Sequence, residues 1–290
     1  MNRVKTTMLL AALTALFLWV GSALGGRGGL AISIVLAAAM NVGAYWFSDR
    51  IVLRMYRAQE VGANDAPGLY GLVQELASRA QLPMPRVYII PEAALNAFAT
   101  GRNPSHGSVA VTEGLLSALN RDELGGVIAH ELGHIRNRDT LIMTVAATIA
   151  GALSHLANMA MWGAMFGGGR HSGSDEDGHP AIGIVGVLLA PLLATLIQLA
   201  ISRAREFGAD EAGALISGNP ISLANALRRL ERSRDTRALE HASPATAHLF
   251  IVNPFSGEGL MKLFSTHPPA GERIARLESM AVGYSPVPVR

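Results

Sequence analysis

The stretch GVIAHELGHIRNRD, residues 126–139, carries two histidines four apart, His130 and His134, with Glu131 beside the first. On a helix the two imidazoles are separated by one turn, a rise of about 6 Å and a rotation of only about 40°. They can then converge on one ion, with zinc–nitrogen distances of about 2.0–2.1 Å. Glu131, rotated by about 100° from His130, falls beside such an ion rather than on it. From there it can reach a water in the open fourth position and take its proton, which is the division of labour of a metallohydrolase. A helix that merely contains two histidines is the alternative, and the spacing alone does not decide between them.

A second motif offers the ligand that the first lacks. In SRAREFGAD, residues 202–210, Glu206 and Asp210 are again four apart, so both project from one helix face. Glu206 is the candidate third ligand. Asp210 is the candidate carboxylate that accepts the N–H of a metal-bound imidazole and so fixes its tautomer. Taken alone, this segment reads more simply as a solvated arginine–carboxylate face at a membrane edge. The chain has no cysteine, which leaves any metal to His, Asp and Glu.

The elements that must position these residues are membrane helices. A chain of 290 residues that is 50% hydrophobic and 16% charged is too apolar for an ordinary soluble domain. The net charge of +2 is modest and its cations are scattered, which argues against a nucleic-acid partner. Four stretches without formal charge, 6–26, 28–48, 140–169 and 180–202, are long enough to cross the hydrocarbon core, which takes about 20 residues of helix. The first resembles a signal peptide, but a second span follows after Arg27 alone, and the pair reads as a hairpin. His155 in the third span and Pro191 in the fourth fit spans packed against neighbours, His155 bonding an adjacent helix. A hairpin dipping only partly into the bilayer is the rival for the second pair.

Charge sets the orientation. Arg3 and Lys5 precede the first span, Arg50, Arg54 and Arg57 follow the second, Arg136 and Arg138 precede the third, and Arg203 and Arg205 follow the fourth. The loop between the last two spans sets Arg170 against Asp175, Glu176 and Asp177. Both termini and the polar segments 49–139 and 203–290 are therefore expected in the cytoplasm. His134 stands just before span three and Glu206 just after span four, so an even number of spans returns the third ligand to the face that holds the first two. That coincidence turns two weak motifs into one expected metal site.

The expected fold is an α-rich α+β, zincin-type metalloprotease domain attached to four transmembrane helices. Residues 6–48 form two N-terminal spans, 49–140 the cytoplasmic part with the His-Glu-x-x-His helix, 141–202 a transmembrane or membrane-inserted hairpin, and 203–290 a cytoplasmic part with the third ligand. Leu69, Leu72, Val73, Leu76 and Ala80 make a helical stripe after Pro67, while RVYII and SVAVT are short β-type runs. Between them, Ala97–Thr100 reads either as an exposed strand able to pair with an extended peptide or as an ordinary loop or inner strand. Asn120 and Glu123 form a capping-box variant at the start of a helix through Leu124, Val127, Ile128, Leu132 and Ile135.

The paired N-terminal spans, NAFATG, HELGH, the second apolar pair, SRAREFGAD and STHPPAGERI together resemble the HtpX membrane metalloproteases, relatives of the CAAX prenyl proteases. The resemblance covers nearly the whole chain. It implies one Zn2+ per chain on His130, His134 and Glu206, with Glu131 as the catalytic base for attack by zinc-bound water. It also implies that His267 and Arg273 of THPPAGERI contact substrate or stabilise the oxyanion. A Pro-Pro turn before a helix is the other reading of that segment. By the same likeness Asn96, Ala97, Phe98, Ala99 and Thr100 become the substrate-binding edge.

The biology implied is a multi-pass bacterial inner-membrane endopeptidase, with its active site in the cytoplasm. It would cleave misfolded or damaged membrane proteins, or other polypeptides, under stress, together with membrane quality-control partners. The alternatives are an intramembrane, site-2-type metalloprotease and a membrane scaffold or transporter component with a vestigial metal site. Arg136, Asn137, Arg138 and Asp139 directly after His134 place the motif outside the apolar region, against the first. A vestigial site has no use for Glu131, against the second. His106, His171, His179, His241 and His248 lack partner spacing and are read as surface residues.

Overall fold

The computed structural model describes residues 2–146, 203–233, 251 and 268–283. The expected spans at 180–202 and beyond residue 146 of the third, with His155, Pro191 and His267, lie outside the described residues. Helix α1, Asn2–Met55, is a long apolar run interrupted at Gly26, whose φ is +55°. That left-handed conformation suits glycine, which lacks a Cβ to clash. Asn41 Nδ2 donates to Thr14 Oγ1 at 2.7 Å. Residues 27 apart on a straight helix would stand about 40 Å from each other, so the chain doubles back at Gly26 into the expected hairpin.

Among the described residues, one helical segment, Gly26–Met55, is long and apolar enough to cross a membrane. Its Ile32, Val35 and Val42 are 63%, 68% and 56% exposed, so it is no buried core helix. Its far end is different. Val52, Leu53 and Tyr56 are buried against the sheet.

Among the described residues the sheet has four strands in the order β1-β2-β4-β3: β1 Gln59–Val61, β2 Arg86–Ile90, β3 Ala97–Thr100 and β4 Ser108–Thr112. β2 and β4 run parallel, while β1 pairs with β2 and β3 with β4 antiparallel. Both faces are covered, which is why β2 and β4 are nearly continuous apolar runs. Tyr88, Ile90, Phe98 and Ala110 meet the end of α1, with the Phe98 and Tyr56 rings 5.4 Å apart. Val87, Ala97, Ala99, Val109 and Val111 face the main core.

That core is built from α2 Pro67–Arg79, α3 Glu113–Ala118, α4 Arg121–Asn137, α5 Arg203–Ser217, α6 Pro220–Arg232 and α7 Ala270–Gly283. The stripe of α2 is buried as its periodicity predicts. Helices α4 and α5 approach unusually closely. A Cβ on Gly213 of α5 would stand 2.9 Å from both Cα and N of His130 on α4. Hydrogen in place of a side chain at that crossing lets the two ligand-bearing helices touch backbone to backbone.

Among the described residues β3 is an edge strand, yet of the two readings of Ala97–Thr100 it is the inner one that fits, since Ala97, Phe98, Ala99 and Thr100 are 0–2% exposed. Helical residues 140–146 lie against its end, with the Thr100 and Thr144 hydroxyls hydrogen-bonded at 2.9 Å and Thr140 Oγ1 donating to Gly101 O at 2.8 Å.

Candidate metal centre

Helix α4 starts where the sequence places it. Asn120 Oδ1 accepts the Glu123 N–H at 2.9 Å and Glu123 Oε2 accepts the Asn120 N–H at 3.1 Å, closing the capping box. The helix ends at Arg138, which adopts the left-handed conformation at φ 59°, ψ 37°. That turn folds Asp139 back over the last helical turn. Its N–H donates to His134 O at 2.9 Å, and its Oδ2 lies 3.2 Å from His134 Nδ1.

Along α5, Glu206, Asp210 and Gly213 follow one another at one-turn spacing on the face that meets α4. Asp210 Oδ1 lies 2.9 Å from His130 Nδ1. Each histidine is therefore held through Nδ1 by its own carboxylate, which leaves both Nε2 atoms for a common partner. His130 Nε2 and His134 Nε2 stand 3.8 and 3.6 Å from the two oxygens of Glu206. All three ligand atoms lie within 4.8 Å of one another. Ligands about 2.05 Å from a tetrahedral ion are about 3.3 Å apart, so only a small contraction closes the cluster around zinc.

The charge around the cluster also suits a divalent cation. Glu131, Asp139, Glu206 and Asp210 are 1–5% exposed, and the buried cations facing them are Arg205 and Arg273 at 9% and 1%. Four carboxylates thus face two guanidiniums. Burial alone lowers the pKa of His134, but the bond to Asp139 and the charges of Glu206 and Glu131 outweigh it and raise it to about 9. His130 shows the opposite balance. Burial and the positive charge of Arg273 exceed the pull of Asp210, and its pKa drops to about 4. Burial pushes the Glu131 carboxyl up to about 7, aided by the nearby Glu206 charge and opposed by His134 and a hydrogen bond from the Ala99 N–H. Burial opposes ionisation of Asp210, but Arg273 and the bond with His130 hold its pKa well below the usual carboxylate range.

Arg273 is drawn into the centre as well. Its Nε and Nη2 donate to both oxygens of Asp210 at 2.9 and 2.7 Å, and Nη1 donates to the Ile251 carbonyl at 3.0 Å. The guanidinium is 1% exposed, holds Asp210, and also comes within 3.5 Å of His130 Nε2 and 3.9 Å of Glu206 Oε2. A buried cation must be paired, and Asp210 satisfies two of its donors at once.

The five residues of the expected substrate edge also separate. Glu131 accepts from the Ala99 N–H, so the backbone of Ala99 points away from β4. By strand alternation Ala97 does too, while Phe98 and Thr100 face β4. Phe98 and Thr100 are thus not outward donors; the first packs on Tyr56 and the second bonds Thr144. Asn96 Oδ1 accepts the Ile251 N–H at 3.2 Å, and the Asn96 backbone pairs with Thr112.

The structure therefore brings together His130, Glu131, His134, Glu206, Asp210 and Arg273; His267 lies outside the described residues. Asp139 and Ile251 were missed. Asp139 sits in a charged burst that looks like an interface, and the signal for it was its place just past the helix end. Ile251 has no local signal at all. His106 is exposed, as expected, and bonds Arg102 and Asn103.

Comparison with known proteins is consistent with this geometry. The sequence profile of peptidase family M48 matches residues 63–281. A protein of Syntrophobacter fumaroxidans named protease HtpX homolog is 59% identical over 280 residues, 96% of this chain and 99% of that one. One of the same name from Syntrophotalea carbinolica is 54% identical over 284 residues, 97% of this chain and 100% of that one. The crystal structure of Ste24p from S. mikatae is similar in fold, with a TM-score of 0.52 at 18% identity, over 96% of this chain and 65% of that one.

Proposed function

The chain belongs to peptidase family M48 and is a metalloprotease, and from that premise we propose that it is a zinc-dependent endopeptidase. In this reading it cleaves misfolded or damaged membrane proteins at the cytoplasmic face of a bacterial inner membrane. The observation that carries the reading is the convergence of His130, His134 and Glu206, from helices far apart in sequence, with the non-ligand Glu131 beside them.

His130 Nε2, His134 Nε2 and Glu206 would hold Zn2+, which when bound would supply a Lewis acid. Glu131 takes the proton from the attacking water and passes it to the leaving amine. Asp210 and Asp139 keep the Nδ1–H tautomer of the two histidines, so that each Nε2 lone pair is left to bind a metal beside Glu206. Arg273 fixes Asp210. The outward backbone of Ala97, next to the Ala99 N–H that bonds Glu131, offers an extended substrate its pairing edge. The membrane placement is supported by the apolar segment Gly26–Met55 and by arginines at the expected cytoplasmic ends of four apolar stretches.

The test is cleavage of casein by the purified full-length chain in detergent, with zinc added, chelated and restored. Cleavage should vanish with the metal and return with it. Cleavage that persists in protein stripped of metal would refute the reading.

A further inference from the structure

The way α1 leaves its apolar run fixes which end of the sheet lies toward the membrane. The Arg102 guanidinium stacks over the Trp46 ring, 4.6 Å from its centroid, and Asp49 Oδ2 accepts from Arg86 Nη2 at 3.2 Å. Further along the helix Tyr56 packs on Phe98, in the cluster that also holds Tyr88 and Ile90. Later residues of α1 thus meet later residues of β2. The parallel pair β2 and β4 therefore runs away from the apolar segment and β3 runs back toward it, which puts the loop 101–107 on the membrane side of the sheet.

That loop has a defined shape. Gly101 takes φ +129°, and a Cβ there would collide with the His106 carbonyl. Arg102 Nη2 donates to His106 Nε2 at 2.6 Å, and His106 Nδ1–H donates to Asn103 Oδ1 at 2.8 Å. These bonds and the Trp46 ring hold the Arg102 guanidinium beside α1. Arg50 stands one helical turn beyond Trp46, with its guanidinium 6.0 Å over the Phe47 ring. Among the described residues neither guanidinium is paired with a carboxylate. Tyr45, Trp46 and Phe47 are themselves exposed, at the end of a segment whose Ile32, Val35 and Val42 are exposed too.

Two unpaired guanidiniums above exposed aromatic rings and an apolar helix match one chemistry, a phosphodiester with acyl chains beneath it. Guanidinium groups bind phosphate oxygens as a fork, and indole rings settle at the headgroup level of a bilayer. An acidic protein partner would satisfy the cations but would leave the apolar face below them in water. Resting on the membrane placement proposed above, we propose that Arg50, Trp46 and Arg102 bind the headgroup of an anionic phospholipid and so seat loop 101–107 on the bilayer surface. Only about 10 Å of extended chain separates Arg102 from Ala99, whose N–H bonds Glu131. The bound lipid thus sets the height of the cleavage site above the membrane.

The experiment uses the full-length zinc-loaded chain carrying Trp19→Phe and Trp162→Phe, which leaves Trp46 as the one indole of three, in phosphatidylcholine vesicles. Quenching of its fluorescence is followed as phosphatidylglycerol or phosphatidylcholine with dibrominated acyl chains replaces the host lipid. Half-maximal quenching should need about 5-fold less of the brominated phosphatidylglycerol, the weight of one arginine at an anionic surface. Arg102→Gln and Arg50→Gln should each remove most of that preference. Arg54→Gln, the same charge change one turn past Arg50, should leave it in place, and glycerol 3-phosphate added at fixed ionic strength should not restore fluorescence. Should the two Phe substitutions cost the chain its zinc, Arg102→Gln and Arg54→Gln are compared in the unaltered chain, where Arg102 still stacks on Trp46 alone of the three indoles. Equal quenching by the two lipids overturns the proposal whatever the variants do. An equal loss in Arg54→Gln overturns it in favour of diffuse attraction, and recovery with glycerol 3-phosphate in favour of a soluble-phosphate site. No quenching by either brominated lipid would instead take Trp46 out of the bilayer and sink the membrane placement, and this proposal with it, while zinc-dependent casein cleavage would stand.

Discussion

Arg273 grips both oxygens of Asp210, at 2.9 and 2.7 Å, and Asp210 in turn lies 2.9 Å from Nδ1 of His130. A cation near the C-terminal end thus sets the orientation of a histidine in the middle of the chain through one carboxylate. Asp139 holds His134 from the other side, its Oδ2 3.2 Å from Nδ1, with the buried Arg205 charge acting on it.

The roles of the two glutamates separate in metal content and turnover. Glu131→Gln keeps the volume and all three ligands, so zinc should stay near one per chain while casein cleavage falls by at least about 10²- to 10⁴-fold. Glu206→Gln replaces an anionic ligand oxygen by a neutral amide, and zinc and cleavage should fall together. Loss of zinc from the first variant, or full zinc and turnover in the second, would reverse the assignment.

Asp139→Asn and Asp210→Asn should each weaken zinc affinity or activity by about 10- to 100-fold. Asp210→Ala should do worse than its Asn counterpart, because it strands the buried Arg273 charge at a cost of about 3–5 kcal/mol. Zinc titration and thermal melting of the three proteins check the order. Equal melting temperatures for Asp210→Asn and Asp210→Ala would mean that Arg273 does not depend on this carboxylate.

Gly213→Ala places a methyl group 2.9 Å from the His130 backbone, where no flexible side chain can give way. Helices α4 and α5 must separate, at a cost of about 1–3 kcal/mol. Melting temperature and zinc affinity should drop together, since the same crossing holds Glu206 against the histidines. A variant with both unchanged would show that the helices have slack at this point.

On β3, proline distinguishes the two sides of the strand. Ala97→Pro removes an outward N–H and leaves the ladder to β4 intact, so KM for casein peptides should rise with zinc unchanged. Phe98→Pro removes an N–H that faces β4 and should lower the melting temperature as well. An unchanged KM for Ala97→Pro excludes this edge from substrate pairing.

The absence of cysteine makes topology directly testable, because Ser174→Cys introduces a single thiol. A membrane-impermeant maleimide should reach it from outside the inner membrane of spheroplasts. Labelling only after the membrane is opened would mean that 140–202 does not cross the bilayer, and the return of Glu206 to the face of His134 would need another explanation.

Much of the centre was legible because its geometry is local. Histidines at 130 and 134 share one helix face with a glutamate set beside it, and carboxylates at 206 and 210 share another, wherever their segments are helical, since 3.6 residues make a turn. The Asn120–Glu123 capping box and the α2 stripe were readable for the same reason. So was the turn at residues 26–27, where glycine and a lone charge interrupt two apolar runs. What the tertiary structure decided was every contact between segments that share no period. Asp139 reaches His134 only because a non-glycine residue, Arg138, takes a left-handed turn. Arg273 is drawn to Asp210 because a fully buried guanidinium has to be paired, a demand that a surface reading of THPPAGERI does not contain. β3 is an edge among the described residues yet buried, with Thr140 and Thr144 bonded at its end and Glu131 accepting from the Ala99 N–H. Sequence periodicity specifies which face a residue occupies; which partner stands opposite that face depends on how closely helices pack, and at Gly213 that distance is set by the lack of a single methyl group.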